Sequence, residues 1–535
     1  MIGAGDAWRR GAPTDPKGKW VDFRVPLYTS ANARFLDVQF HSYSHAHVVA
    51  YDGCDWRRLT QFVRDTGPYT TGDQWDLHRS FLSDGDRPNG RCGGWTGYGS
   101  SGAGVQHFIW NGLFHRVGYM NIFWQYACLN PDLTFSQSAK DMSVAFTELR
   151  DGLGMLLNHA RRQPTPVAVH YSLASCHGAT ILGQDADWDA ARANTIALLN
   201  DLGWQFSFVS TPQLEADELA KRGYRALVLP WSVALSDKEV AALTQFVEAG
   251  GSLLVWGDAG SMDEHCAARP ASALAELLKT VPKGDGPIRG GRVGKGRVAV
   301  AQVLASDYAK QSTAESAAAL RQALTESLRS VGRDLPCQVL DAKEQPLLQC
   351  QRTYFRDGDA TYVCLLRDNL AGQRVGCPEG VEYVRDTGDA AKPELITIRL
   401  RQPAEVYDVR LGKYLGKSDR IETTIASAEP KVFALLAGKG TSLTVGTGEA
   451  ALGKPLALEV AVRAEARHWA PHVVQVEVAR PDGALPPLYA RNLLVGETPA
   501  VLVIPFAFND PAGTWPVRVR DVASGVSETC PVGVK

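Results

Sequence analysis

The sequence predicts a mixed α/β architecture in four parts: part of a (β/α) barrel, a parallel sheet with helices on both faces, and two β-sandwich-like domains. Three observations predict it. The chain has 535 residues, too many for one core at roughly 150 residues per domain. From Val167 onward, apolar strands alternate with helical segments. Beyond Val331 helical periodicity disappears, and short strands separated by turn signals take over.

Composition narrows the class. Hydrophobic residues make up 45% and charged residues 21%, as in ordinary globular domains. The formal charge is −2, with no basic stretch, which argues against a nucleic-acid partner and for a neutral or small one. No run approaches the ~18 apolar residues of a membrane span. The opening, MIGAGDAWRRGAPTDPKGKW, lacks the apolar centre of a secretory signal. The ten cysteines form no CxxC pair and no Cys/His group at zinc spacing. These features predict reduced thiols in the cytoplasm, and no metal or cofactor. A lost leader upstream of Met1 would reverse the compartment.

The first stretch, to about residue 130, reads as strands ending in polar loops. Residues 35–40, FLDVQF, lead into His41, Tyr43 and His45. Residues 55–63 look helical. Residues 93–99, GGWTGYG, read as a turn-rich loop, 108–117 as a helix and 119–126 as a buried strand. Only three or so strands fit, so the barrel is incomplete. This stretch holds seven of the thirteen Trp and no Glu before Glu148. Aromatic rings among Gly, His and Asp suit a sugar, which has an apolar face for a ring and hydroxyls for polar groups; the competing reading is an aromatic core. On the first reading His41, Tyr43, Trp95, Tyr98, Trp124 and Gln125 bind substrate. Asp73 and Asp76, beside Trp75, are candidate acid and base if burial splits their pKa values; otherwise they cap and turn the chain.

One amphipathic helix is predicted over 138–158, then a proline-punctuated link over 161–166. Strands follow at 167–171, 204–209, 224–230 and 252–256, and helices at 187–202 and 214–221. Ser236 and Glu239 have capping-box spacing at another helix start, and Gly250-Gly251 ends that helix. Continuous apolar strands alternating with helices predict a parallel sheet buried on both faces. Gly257-Asp258-Ala259-Gly260 is a weak phosphate-loop motif. Neither Cys176 nor Cys266 has the strand-to-helix elbow and His partner that a nucleophile needs.

Three segments together resemble the β-galactosidases of glycoside hydrolase family forty-two: PVAVHYS at 166–172, YRALVLP at 224–230 running on to Ala234-Leu235-Ser236-Asp237, and GGSLLVWGD at 250–258. The resemblance implies a flavodoxin-like, glutamine-amidotransferase-like trimerisation domain at 165–332, after the carboxyl-terminal part of a barrel at 1–160. Residues 408–416 and 430–436 resemble the family's small β-domain, at 335–438. Residues 440–535 look like an added immunoglobulin-like module. The resemblance also implies a carbohydrate substrate or ligand and a homotrimer. Family members hydrolyse β-galactosides with two Glu, one as acid and one as nucleophile. The acid would fall on a strand before residue 1, and the nucleophile near 93–99, where no Glu stands. Three readings stay open: a carbohydrate-active protein lacking the usual Glu pair, a non-catalytic glycan-binding or oligomerising protein, and a fragment of a larger glycosidase.

Overall fold

The computed structural model describes residues 55–68, 73–82, 90–96, 102–122, 128–130, 132–284, 286–301, 308, 312–328, 331, 335–367, 393–439, 441–448, 450–464 and 471–535. Every statement below concerns these residues.

The first strands are β1 (Asp65–Thr66), β2 (Arg91–Thr96) and β3 (Val117–Ile122), parallel and in that order. Around them lie α1 (Trp56–Leu59), α2 (Asp73–Phe81) and α3 (Gly102–Phe114). Asp55 caps α1 by accepting the Arg58 amide at 2.9 Å. The helix predicted over 55–63 is therefore only one turn long.

Residues 93–96 are strand, not the predicted loop. Glycine punctuates loops in most sequences; here it makes room inside a sheet. A Cβ on Gly94 would lie 2.7 Å from Met120 Sδ and 3.2 Å from Trp75, and one on Gly93 would lie 2.2 Å from the Tyr119 ring. Gly94 thus faces the helices, where Trp75, Cys92 and Val117 form a small core. Gly93 faces the opposite side.

The single helix predicted over 138–158 is broken. It comprises α4 (Gln137–Glu148), a wide turn at Leu149–Leu153 and α5 (Gly154–His159). Gly152 sits at φ +114°, and a Cβ there would meet Val522 at 2.4 Å. The carbonyls freed at the break are taken up from far along the chain. Asn492 Nδ2 donates to Arg150 O at 2.7 Å, and Arg520 Nη2 donates to Asp151 O at 3.1 Å. Buried or half-buried carbonyls need such partners, so the carboxyl-terminal strands fix the bend.

After β4 (Arg161–Arg162) come β5 (Val167–Tyr171), α6 (Leu173–Ile181), α7 (Asp185–Asp201), β6 (Ser207–Ser210), α8 (Thr211–Glu215), α9 (Glu218–Lys221), β7 (Ala226–Pro230), α10 (Asp237–Glu248), β8 (Ser252–Trp256), α11 (Ala275–Leu278), β9 (Ile288–Val293), β10 (Gly296–Ala301) and α12 (Glu315–Ser327). The sheet order is β6-β5-β7-β8-β10-β9. All neighbours are parallel except β9, which runs antiparallel to β10. Val167, Val169 and Tyr171 enter one core and Ala168, Leu227, Leu229 and Val255 another, so both faces are buried. The capping box forms: Ser236 Oγ accepts the Glu239 amide at 3.0 Å, and Glu239 Oε2 accepts the Ser236 amide at 2.8 Å. The helix predicted over 214–221 splits into α8 and α9 at Asp217, whose φ is +58°.

A seven-stranded antiparallel sheet follows. It comprises β11 (Cys337–Leu340), β12 (Cys350–Asp357), β13 (Ala360–Arg367), β14 (Glu394–Asp408), β15 (Lys413–Ile425) and β16 (Lys431–Leu436), with β4 at its edge. It differs from the predicted sandwich of short strands in two ways. Strands β14 and β15 are long, and the supposed link at 161–166 supplies a strand, with Arg162 opposite Phe355. Strand β14 pairs first with β11 and then with β16, changing partner across a register shift that spans Pro403, where the ladder lacks a donor.

The last strands, β17 (Thr441–Thr447), β18 (Pro455–Ala464), β19 (His472–Val478), β20 (Arg491–Val495), β21 (Ala500–Pro505), β22 (Gly513–Asp521) and β23 (Ser527–Val534), form sheets of three and four strands around one core centred on Trp515. The eight described cysteines are free thiols. No helix among the described residues is long and apolar enough to cross a membrane.

Candidate functional site

In register Thr66 stands beside Cys92 and Thr96 beside Ile122, so β1 ends level with the start of β2, while β2 and β3 end together. On the face turned away from the helices lie Arg91, Gly93 and Trp95 of β2, with Tyr119 and Asn121 of β3. Trp95, Tyr119 and Asn121 are half-buried. Trp95 stands opposite Asn121 in register. Trp95 Nε1 donates to Gly67 O at 3.0 Å, and Tyr119 Oη donates to Thr66 O at 3.1 Å. Each ring reaches across the sheet because a glycine leaves space beneath it, Gly93 under Tyr119 and Gly67 against Trp95. The result is a platform of two aromatic rings whose polar atoms are fixed on backbone carbonyls. Asp65 accepts from Arg91 Nε at 2.8 Å, and the Arg91 guanidinium lies 5.7 Å from the Tyr119 ring centre. The Asp65 contact raises the Arg91 pKa above its ordinary value. Such a surface can stack on an apolar ring face and offer donors and acceptors at its rim.

Beneath the sheet, α2 is buried from Gln74 to Phe81. Asp76 Oδ1 accepts from Arg79 Nη2 at 2.5 Å, and Asp76 Oδ2 lies 3.3 Å from His115 Nε2. His115 Nδ1 is 2.8 Å from Asn111 O. Arg79 also donates to Phe206 O at 3.3 Å, and Ser80 Oγ accepts the Phe208 amide at 2.9 Å, tying α2 to β6. Burial alone would raise the Asp76 carboxyl, but His115 and Arg79 outweigh it and hold the group far below the carboxylate range. Asp76 is 3% exposed. Both of its carboxylate oxygens are taken up inside the fold, by Arg79 and His115. His78 is fully buried with neither ring nitrogen hydrogen-bonded, and burial pushes its pKa down to about 3.

The carboxyl edge of the larger sheet is built differently. The strand order reverses between β5 and β7, the usual ligand crevice of such sheets. Here residues 231–236 cross it. His170 bridges Ser232 Oγ at 2.9 Å and Glu239 Oε1 at 3.0 Å. Ser175 Oγ donates to Ala234 O at 2.9 Å and accepts its amide at 3.1 Å. Burial opposes ionisation of Glu239, yet the His170 contacts outweigh it and lower its pKa. Trp231 has φ +52°, and Gly257 leaves room for its ring. Cys176 is fully buried. Among the described residues this edge is filled by its own chain.

Of the residues the sequence nominated, Trp95 lies on the platform and Asp76 in the buried ion pair. Asp73 opens α2, its side chain outside the described residues. His41, Tyr43, Tyr98, Trp124 and Gln125 also lie outside them. Of the crowded tryptophans, Trp75 and Trp110 are core residues at 0% and 1% exposure, so the aromatic-wall expectation fails for those two. Tyr119 and Gly67 escaped notice. The signal was the glycine pair 93–94 between strand-forming residues.

No family model and no curated protein matches the sequence. Solved structures do. A GH42 β-galactosidase from G. stearothermophilus, in a catalytic-mutant form, aligns over 71% of this chain and 61% of its own, at 11% identity and a TM-score of 0.48. A β-galactosidase from Bacillus circulans sp. alkalophilus aligns over the same shares at 12% identity and 0.49. An exo-carrageenase of GH42 from Bacteroides ovatus covers 72% and 50%, at 12% and 0.44. The chain is similar to these proteins in its path alone. The aligned part spans about three-fifths of the length of the first two.

Proposed function

We propose that the chain is a carbohydrate-active protein of glycoside-hydrolase type that holds a saccharide against the open face of β1–β3. The observation that carries this reading is the half-buried Trp95–Tyr119 platform on the face of β1–β3 turned away from the helices, a ring surface of the kind on which the apolar face of a sugar stacks. In this reading β1–β3 belong to a (β/α) barrel. The sheet β5–β10 is a flavodoxin-like trimerisation domain, and the two β-rich parts are a small β-domain and an immunoglobulin-like module.

Binding without hydrolysis is the form the carboxylates favour. Hydrolysis needs one protonated and one ionised carboxyl flanking the sugar. Among the described residues beside the platform, Asp65 is paired with Arg91 and Asp76 is enclosed. No Glu precedes Glu148. The test is calorimetric titration of the full chain with lactose and an aryl β-galactoside, alongside a hydrolysis assay. Saturable binding that Trp95→Ala weakens at least tenfold, about 1.4 kcal/mol, supports the proposal. Unchanged binding in Trp95→Ala refutes it, and turnover retained in Asp65→Asn places an acid elsewhere.

A further inference from the structure

Two arginines face each other across β9 and β10. Arg292 is directly opposite Arg297, so their Cβ atoms are roughly 5 Å apart on one face of the hairpin. Both are exposed. Like charges placed so repel, and a fold normally answers with a carboxylate. This one does so elsewhere. Arg399 and Arg420 are also directly opposite, and Glu344 bonds Arg399 and lies 3.6 Å from Arg420. Among the described residues no acidic side chain pairs with Arg292 or Arg297. Lys295, at the turn between them, adds a third positive charge.

The space beside the pair is open. A small groove there is lined by Arg297 with Ser252, Leu254, Gly290, Ala299 and Leu328, and Arg292 stands outside its lining. Gly290 stands opposite Ala299, so the floor is two of the smallest residues. Arg297 lies opposite Ser252, which places a hydroxyl-bearing residue beside the guanidinium. Two fork-shaped donors carried opposite each other on one face of the hairpin, next to small residues, suit a tetrahedral oxyanion. A structural alternative exists, because the carboxyl end of α12 borders the groove and a helix terminus of that sign favours cations.

We infer that Arg292 and Arg297 form a binding site for one oxyanion of phosphate or sulfate size, either free or carried as an ester on a sugar. The anion would neutralise the pair that the fold leaves uncompensated. This site is separate from the Trp95 platform and does not depend on its function.

The experiment is a thermal-shift and calorimetric titration of the full chain at low chloride, with inorganic phosphate, inorganic sulfate and galactose 6-sulfate. Arg292→Gln, Arg297→Gln and the remote control Lys454→Gln are compared with wild type. Saturable binding with a millimolar dissociation constant is expected, with a rise in Tm. Both arginine variants are expected to weaken it at least tenfold, and Lys454→Gln to leave it intact. Tighter binding of galactose 6-sulfate than of sulfate assigns the anion to a sugar ester; equal or weaker binding assigns it to the free ion. No saturable binding, or equal binding in the arginine variants, overturns the inference. So does a lower Tm of both variants without anion and no anion-dependent gain in wild type, since the arginines then serve α12.

Discussion

The protein contains two parallel sheets that dispose their side chains differently. At the carboxyl edge of β5–β8 the chain fills its own crevice. Residues 231–236 are stapled there by Ser175, His170 and Glu239, and every staple is buried. On the face of β1–β3 turned away from its helices two aromatic rings lie half-buried on glycines, their polar atoms on backbone carbonyls. The first arrangement turns the side chains of His170, Ser175, Ser232 and Glu239 onto one another and onto the backbone. The second fixes its rings and keeps part of their surface accessible.

That comparison can be broken most severely under the small sheet. Asp76→Ala leaves Arg79 charged and buried, and should cost about 3–5 kcal/mol by urea unfolding. A loss below about 1 kcal/mol would show that α2 is not held by this pair. The acid response carries the same sign. The Asp76 carboxyl is depressed below its unfolded value near 3.9, so its contribution is complete above about pH 4 and is lost as pH falls further. His78 acts in a higher window. Its folded pKa, about 3, lies below the ordinary histidine value of 6.5, so the unfolded chain binds its proton first. Stability should fall between pH 6.5 and pH 3, and His78→Leu should flatten that slope. A parallel slope in both proteins would remove His78 as the cause.

Smaller effects sharpen the contrast. Gly152→Ala imposes a side chain at φ +114° against Val522. It should cost about 1–3 kcal/mol and loosen the carboxyl-terminal sheets first, seen as faster amide exchange there than in β5–β8. Uniform exchange would separate the bend from the docking. At the open face, Asp65→Asn removes an exposed ion pair and should change stability by less than about 1 kcal/mol. A loss as large as that of Asp76→Ala would mean the open face is as load-dependent as the buried one.

Much of the larger sheet was legible in the sequence. Apolar runs such as ALVLP and SLLVW, short and bounded by turn residues, read as strands buried on both faces, and the Ser236–Glu239 spacing names a helix start by its chemistry. The small sheet was harder to read. Gly93 and Gly94 spell a turn locally and take their strand role from Tyr119, Met120 and Trp75, which are near only after folding. The break at Gly152 is invisible for the same reason, since Asn492, Arg520 and Val522 impose it. Arg161 and Arg162 read as linker because their strand partners lie at Phe355 and Arg356. Trp95 was found from composition. Trp75 and Trp110 carried the same signal, and packing alone separates them from it.

The central claim is that the Trp95–Tyr119 face meets a sugar. The most direct measurement is fluorine NMR of the full chain labelled with 5-fluorotryptophan, titrated with an aryl β-galactoside and assigned with Trp95→Phe. The account predicts a saturable shift of the Trp95 resonance while Trp110 and Trp256 stay still. A Trp95 resonance that does not move at saturating sugar would contradict it.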